Sequence, residues 1–246
     1  MRIDGSTGVA PLVAALAKAF QATGPGYVLE IGKGLGTKAR LKALEEGKIQ
    51  IAMASHGIDV EQIRRQGMTA HRIARTPIVF AVHAGVPVQA LSDAQVCQIY
   101  SRTAVNWKAL GGPDLPIAAL TRPDSEVDAE VARAGIACLK NLKMAPGVKV
   151  MGKSGDMARG LAETQGAVGM TTSTQVQRSP GKIRAVALNG VQADEASVTT
   201  GRYRLTRDAY LLTRGAPPAP VAAFLSFVKS ARGAAVIQAS GGMPAR

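Results

Sequence analysis

Met1-Arg2-Ile3-Asp4-Gly5-Ser6-Thr7-Gly8-Val9-Ala10-Pro11 reads as a short apolar strand that breaks into a small polar turn and then enters a helix. Leu12, Leu16 and Phe20 recur four apart and Val13 widens the same face. Pro11 suits a first turn and Gly24 a stop, so the segment between them is expected to be an amphipathic helix. Hydroxyls and N–H groups at such a helix start meet partial positive charge and unpaired donors, an arrangement that suits an anion. The same residues also make an ordinary N-cap with no ligand. The rest of the chain has to decide between the two.

Working outward, the pattern repeats. Residues 27–31 read as a strand that opens into Gly32-Lys33-Gly34-Leu35-Gly36-Thr37-Lys38, ahead of a helix carrying Leu41 and Leu44. Residues 49–54 form a strand ending at Ser55-His56-Gly57, and 59–66 a short helix. The apolar run 76–84 suits a strand buried on both faces. A helix over 91–100 with Ser92 as cap follows, then an irregular segment around Asn106-Trp107-Lys108. The strand 116–120 ends at Thr121-Arg122-Pro123-Asp124-Ser125, before a helix to about Asn141. Strands over 166–170, 182–188 and 204–213 lead to an amphipathic helix on Val221, Phe224, Leu225 and Val228. Alternation of this kind predicts an α/β fold of mostly parallel sheets covered by helices. Ligands in such folds bind beyond the C-terminal strand ends, where Thr7, Gly34, Ser55 and Arg122 stand. Arg122 is the best single candidate for an anion clamp, because a guanidinium is a planar fork of donors, and an ordinary exposed loop arginine is the other reading.

Composition narrows the function. Thirty Lys plus Arg against 17 Asp plus Glu leave a formal charge of +13, which draws anions toward the protein. The basic residues are scattered without aromatic interleaving, which argues against nucleic acid. No apolar run approaches the ~18 residues of a membrane span. Cys97 and Cys138 are too few for a disulfide framework; they are read as buried free thiols or a single disulfide. His56, His71 and His83 lack metal-ligand spacing, and only His56 is near the strand ends. No charged leader or apolar core precedes Ile3, which leaves a cytosolic chain or one whose export signal has been removed.

Two nucleotide patterns are weighed and set aside. In the glycine turn 32–38, Thr37 takes the third-glycine position of a dinucleotide fingerprint, and the first acid beyond the next strand, Asp59, follows a turn. Gly147-Val148-Lys149-Val150-Met151-Gly152-Lys153-Ser154 satisfies the P-loop pattern literally. In a P-loop, however, the strand precedes the first glycine, whereas here the alternation of Val148 and Val150 with Lys149 and Met151 places a strand between the two glycines. No nucleophile, acid/base pair or metal cluster stands at the expected strand ends, so a binding protein is expected and not an enzyme.

Leu91-Ser92-Asp93-Ala94-Gln95-Val96-Cys97-Gln98-Ile99-Tyr100-Ser101, leading into Val105-Asn106-Trp107-Lys108-Ala109-Leu110-Gly111-Gly112, resembles the periplasmic phosphate-binding proteins of ABC importers. Gln165-Gly166-Ala167-Val168-Gly169-Met170 and the closing run from Tyr203-Arg204-Leu205 through Phe224-Leu225-Ser226-Phe227-Val228 are similar too, so the likeness spans essentially the whole chain. It implies the two-lobed type II solute-binding fold: an α/β architecture with helices on both sheet faces and two hinge crossings. Lobe one would combine 1–80 with 172–246, and lobe two would be 81–171.

The resemblance also implies a site. Phosphate or a related oxyanion would lie between the lobes without metal or cofactor, held by Thr7 with Ser6 and Gly8 around it, by Gly34, by Ser55, and by Arg122 oriented by Asp124. Two stretches depart from the family pattern. Lys33 stands where a ligand-binding Ser is usual, and Ser125-Glu126-Val127-Asp128 replaces Gly-Ser-Gly-Thr. An unpaired Glu126 carboxylate facing phosphate in a dry cleft would cost several kcal/mol, which makes Lys33 a candidate partner for it. Three outcomes stay open: Glu126 points away and Ser125 supplies the hydroxyl, the ligand is an organic phosphate or zwitterion, or binding is lost. The first is preferred, since Thr7, Arg122 and Asp124 persist. By resemblance the protein would be a periplasmic or extracellular monomer that delivers its ligand to an ABC permease. A ligand sensor or scavenger of the same fold is the alternative.

Overall fold

The computed structural model describes residues 1–24, 26–55 and 57–245. It divides into two units, Met1–Thr76 with the segment from Asp208 onward, and Pro77–Arg207. In the first unit the strand Arg2–Gly5 pairs in parallel with Glu30–Ile31 on one side and Ile51–Ser55 on the other. Thr206–Arg214 lies antiparallel to Ile51–Ser55 through residues 209–212. Alternation along these strands builds two layers. Ile51, Met53, Ala209 and Leu211 face one core and Ala52, Ala54 and Leu212 the other.

Helix Ala10–Gln21 lays Leu12, Val13, Leu16, Ala17 and Phe20 on the first of these layers. There the Phe20 ring stands 5.5 Å from both Phe224 and Phe227, and each large apolar side chain so buried contributes roughly 2 kcal/mol. Helices Thr37–Glu45 and Val60–Arg65 cover the other layer through Leu44 and Ile63. A further helix, Ala231–Ala239, capped by Ser230, follows Ala219–Lys229; the sequence reading stopped short of it.

The second unit is centred on Ala118–Thr121, parallel to both Lys149–Val150 and Ala167–Thr172. Residues 78–82 run antiparallel to Ala167–Thr172. Helix Ser154–Glu163 presses Met157 and Leu161 onto Leu120, Ala167 and Ile183. Ser92 and Gln95 form a reciprocal capping box on helix Asp93–Tyr100. Tyr100, wholly buried, donates its hydroxyl to the Leu120 carbonyl, and burial pushes this phenol far above its ordinary pKa. Trp107 is also wholly buried and donates its indole N–H to Gly166 O at 2.9 Å. Cys97 and Cys138, left open as thiols or a disulfide, are bonded to one another. Cys138 is exposed, so the buried-thiol reading is corrected.

The chain passes between units inside strands. The strand expected from residue 76 runs from Met68 to His83, and the first crossing, expected near 80, falls at Thr76–Pro77 within it. The return, expected near 172, comes at Arg207–Asp208. The intervening segment belongs to the second unit by its pairing. Ile183–Ala185 joins residues 81–83 antiparallel, Ala187–Leu188 pairs in parallel with Ala90–Leu91, and the Tyr203 hydroxyl donates to Ile78 O. The helix expected to reach Asn141 ends at Gly135 and gives way to a 3₁₀ turn, Ala137–Leu139. Lys149–Val150 does lie between Gly147 and Gly152, so this stretch is strand where a phosphate loop would have to be.

Candidate anion-binding site

In the first unit the site starts at a glycine that nothing else can replace. Gly5 ends its strand at φ +138°, in register with Met53, and a Cβ there would stand 2.3 Å from the Met53 carbonyl oxygen. This close approach lets the Ser6 amide donate to Met53 O at 2.9 Å and turns the chain into the helix. Gly5→Ala should therefore lower the unfolding free energy by about 2–3 kcal/mol, read by urea denaturation.

Asp4 ties the two glycine loops together. Its Oδ1 accepts from the Gly5 amide at 2.7 Å and the Gly34 amide at 2.9 Å. Gly34, at φ +111°, seats against Thr7, whose Cγ2 would be 2.4 Å from any added Cβ. Asp4 was missed in the sequence; its signal was a carboxylate placed in an apolar strand directly before a glycine.

The ordinary-cap reading of the first helix is not realised. Its N-cap is Val9, with no side-chain cap bond, and the Val9 and Ala10 amides turn back to Ser6 O, each at 3.1 Å. Ser6 and Thr7 are half-buried in the turn between the strand and the helix. Ser55 lies two residues past the Gly5 to Met53 pairing, and its buried hydroxyl lacks a hydrogen-bond partner among the described residues. Buried polar atoms are nearly always satisfied in folded proteins, so an orphaned hydroxyl marks a place where a partner belongs. Lys33 is exposed on the second glycine loop.

In the second unit Arg122 follows its strand with a side chain 0% exposed. Nη1 donates to the Met151 carbonyl at 2.6 Å and Nη2 to Glu126 Oε2 at 2.8 Å, while Nε stands 3.7 Å from Asp128 Oδ2 without a hydrogen bond. Asp128 Oδ1 in turn accepts from Arg207 Nη1 at 2.8 Å. Glu126 is the N-cap of helix Val127–Gly135 and Asp128 lies in its first turn, so both carboxylates meet the positive end of the helix dipole.

Two expectations are corrected here. Asp124 does not orient Arg122; it pairs with Arg133 at 2.8 Å and its side chain is 73% exposed. Glu126 does not turn away, nor does it need Lys33, because Arg122 four residues before it supplies the positive charge. Ser125 is exposed on the turn between them. A recess of about 500 Å³ opens beside Arg122, Asp124, Lys140 and Lys143.

His71 and His83 find their partners away from both loop sets. His71 Nε2 stands 3.0 Å from Thr213 Oγ1, and His83 Nδ1 accepts from the Gly85 amide at 3.0 Å. His56 lies outside the described residues. No group of three or more potential metal ligands gathers among the described residues.

With this geometry in hand, comparison with known proteins is decisive for the family. A model described as a PBP superfamily domain matches residues 1–232. The chain belongs to the PBP superfamily. Within it, the phosphate-binding protein PstS of Bacillus subtilis is 27% identical over 94% of this chain and 75% of its own length. A structure from Clostridium perfringens, described as a phosphate ABC transporter substrate-binding protein with bound phosphate, superposes with a TM-score of 0.82 at 25% identity, covering 100% of this chain and 99% of that one. An ABC-type phosphate transport receptor from Vibrio cholerae shares the fold, with a TM-score of 0.67 at 24% identity, covering 99% of each chain. For a PBP-superfamily chain, two α/β units linked by two crossings is the expected α/β class.

Proposed function

We propose that this protein is the solute-binding receptor of an ABC importer, that its ligand is inorganic phosphate or a close oxyanion, and that it binds as a monomer without catalysis and delivers the ligand to a membrane permease. The observation that carries the reading is the full-length likeness to a phosphate-bound receptor structure. The loop chemistry supports it. Ser6, Thr7, Gly8, Gly34 and Ser55 are assigned as hydroxyl and amide donors, Lys33 as added positive charge, Ser125 as an auxiliary hydroxyl and Arg122 as the guanidinium. The Cys97–Cys138 disulfide supports function outside the reducing cytosol.

Calorimetry on ligand-stripped protein, titrated with phosphate, sulfate, molybdate and 2-aminoethylphosphonate, tests the reading. Phosphate should bind most tightly. Thr7→Val, which keeps the methyl that seats against Gly34 and removes the hydroxyl, should weaken it at least about tenfold, the worth of one hydrogen bond to a charged group. Absence of phosphate binding by the folded parent sinks the assignment.

A further inference from the structure

All three nitrogens of Arg122 are directed at groups of its own unit: a carbonyl, Glu126 and Asp128. The local charge closes as well, since the guanidiniums of Arg122 and Arg207 meet the carboxylates of Glu126 and Asp128. An anion arriving here, drawn by a chain of formal charge +13, finds a guanidinium already neutralised. The partners differ in how replaceable they are. The Asp128 side chain is 3% exposed and also holds Arg207, and the Met151 carbonyl is backbone. The Glu126 side chain is 42% exposed and holds Nη2 through a single carboxylate oxygen.

We propose that Glu126 is a built-in rival of the ligand: its carboxylate occupies the anion-accepting corner of Arg122, and the bound oxyanion takes that corner by displacing it. Glu126 thereby sets the affinity of the receptor and lowers it relative to a chain with a neutral residue at this position. The inference rests on the phosphate reading above and deepens it. A carboxylate and a phosphate oxygen are interchangeable acceptors for one N–H of a guanidinium. Removing the internal one frees the donor, and it also leaves an unbalanced positive charge for the ligand to neutralise.

The experiment is calorimetry of the full chain with inorganic phosphate on the parent, Glu126→Ser and Glu126→Gln, with folding of each checked by circular dichroism. Both variants should bind phosphate at least about tenfold more tightly than the parent. Glu126→Gln keeps a neutral acceptor for Nη2 and tests the proposal even if Glu126→Ser fails to fold. A parent that binds phosphate, with variants that bind it equally or less tightly, overturns the role of Glu126 and leaves the receptor reading standing. Failure of parent and variants alike to bind phosphate overturns both. A parent that prefers 2-aminoethylphosphonate to phosphate, with the preference lost in Glu126→Gln, also overturns it and makes Glu126 a partner of the ligand's ammonium group.

Discussion

Asp128→Ala should cost about 3–5 kcal/mol of unfolding free energy, the range found when one member of a buried ion pair is removed and its partner stays behind. Asp128 and Arg207 are 3% and 4% exposed and hydrogen-bonded at 2.8 Å, and the same carboxylate stands 3.7 Å from the wholly buried Arg122. Its loss removes the buried negative charge that stands beside two buried guanidiniums drawn from distant points in the second unit. Urea denaturation of parent and variant measures the difference. Asp128→Asn, which preserves the shape and one acceptor oxygen, should recover part of the loss and no more, because the charge is still missing. A cost below about 1 kcal/mol for the alanine variant would show that the pair is not holding this unit together.

Reduction of the Cys97–Cys138 bond, or its replacement in Cys97→Ser/Cys138→Ser, should cost about 4 kcal/mol. The sequence separation is 41 residues, and the entropy removed from the unfolded chain by closing a loop of that length has this size. The closed loop contains Arg122, Glu126 and Asp128 as well as the strand Ala118–Thr121, so the loss falls on the unit that holds the guanidinium. Denaturation with and without dithiothreitol provides the measurement. Exposed Cys138 gives the reductant access, and equal midpoints under both conditions would overturn the expectation.

What was legible in the sequence follows from where the determining interactions lie. The strand, turn and helix of residues 2–21 were readable because they are local: period-four apolar spacing, a proline in the first turn, and small polar residues between. The first part of the long strand Met68–His83 was hidden. His71, Arg72 and Arg75 interrupt its apolar run, and only pairing identifies it as strand. Pairing also decides the second crossing. Residues 183–188 look the same whichever unit they join, and only their partners, residues 81–83 and 90–91, assign them. The late helix Ala231–Ala239 was missed because its alanines and Gly233 carry little periodicity.

The site divides in the same way. Thr7, Gly34 and Ser55 were singled out from strand ends and Ser6 by resemblance; the structure ties Gly34 to Gly5 through Asp4 and seats Gly34 against Thr7. The partners of Arg122 were misassigned, since resemblance pointed to Asp124. The spacing of four between Arg122 and Glu126 was the available signal, and it lies across a turn, outside a helix, where spacing alone does not report contact.

Trp107 is the single tryptophan in the chain and is sealed in the second unit. Its emission is therefore an intrinsic reporter for one half of the molecule, blue-shifted while that half is folded and blind to the other. Far-ultraviolet ellipticity sums over both halves. Recording the two signals on one denaturation series reads out, without any label, whether the halves melt as one cooperative body or in succession.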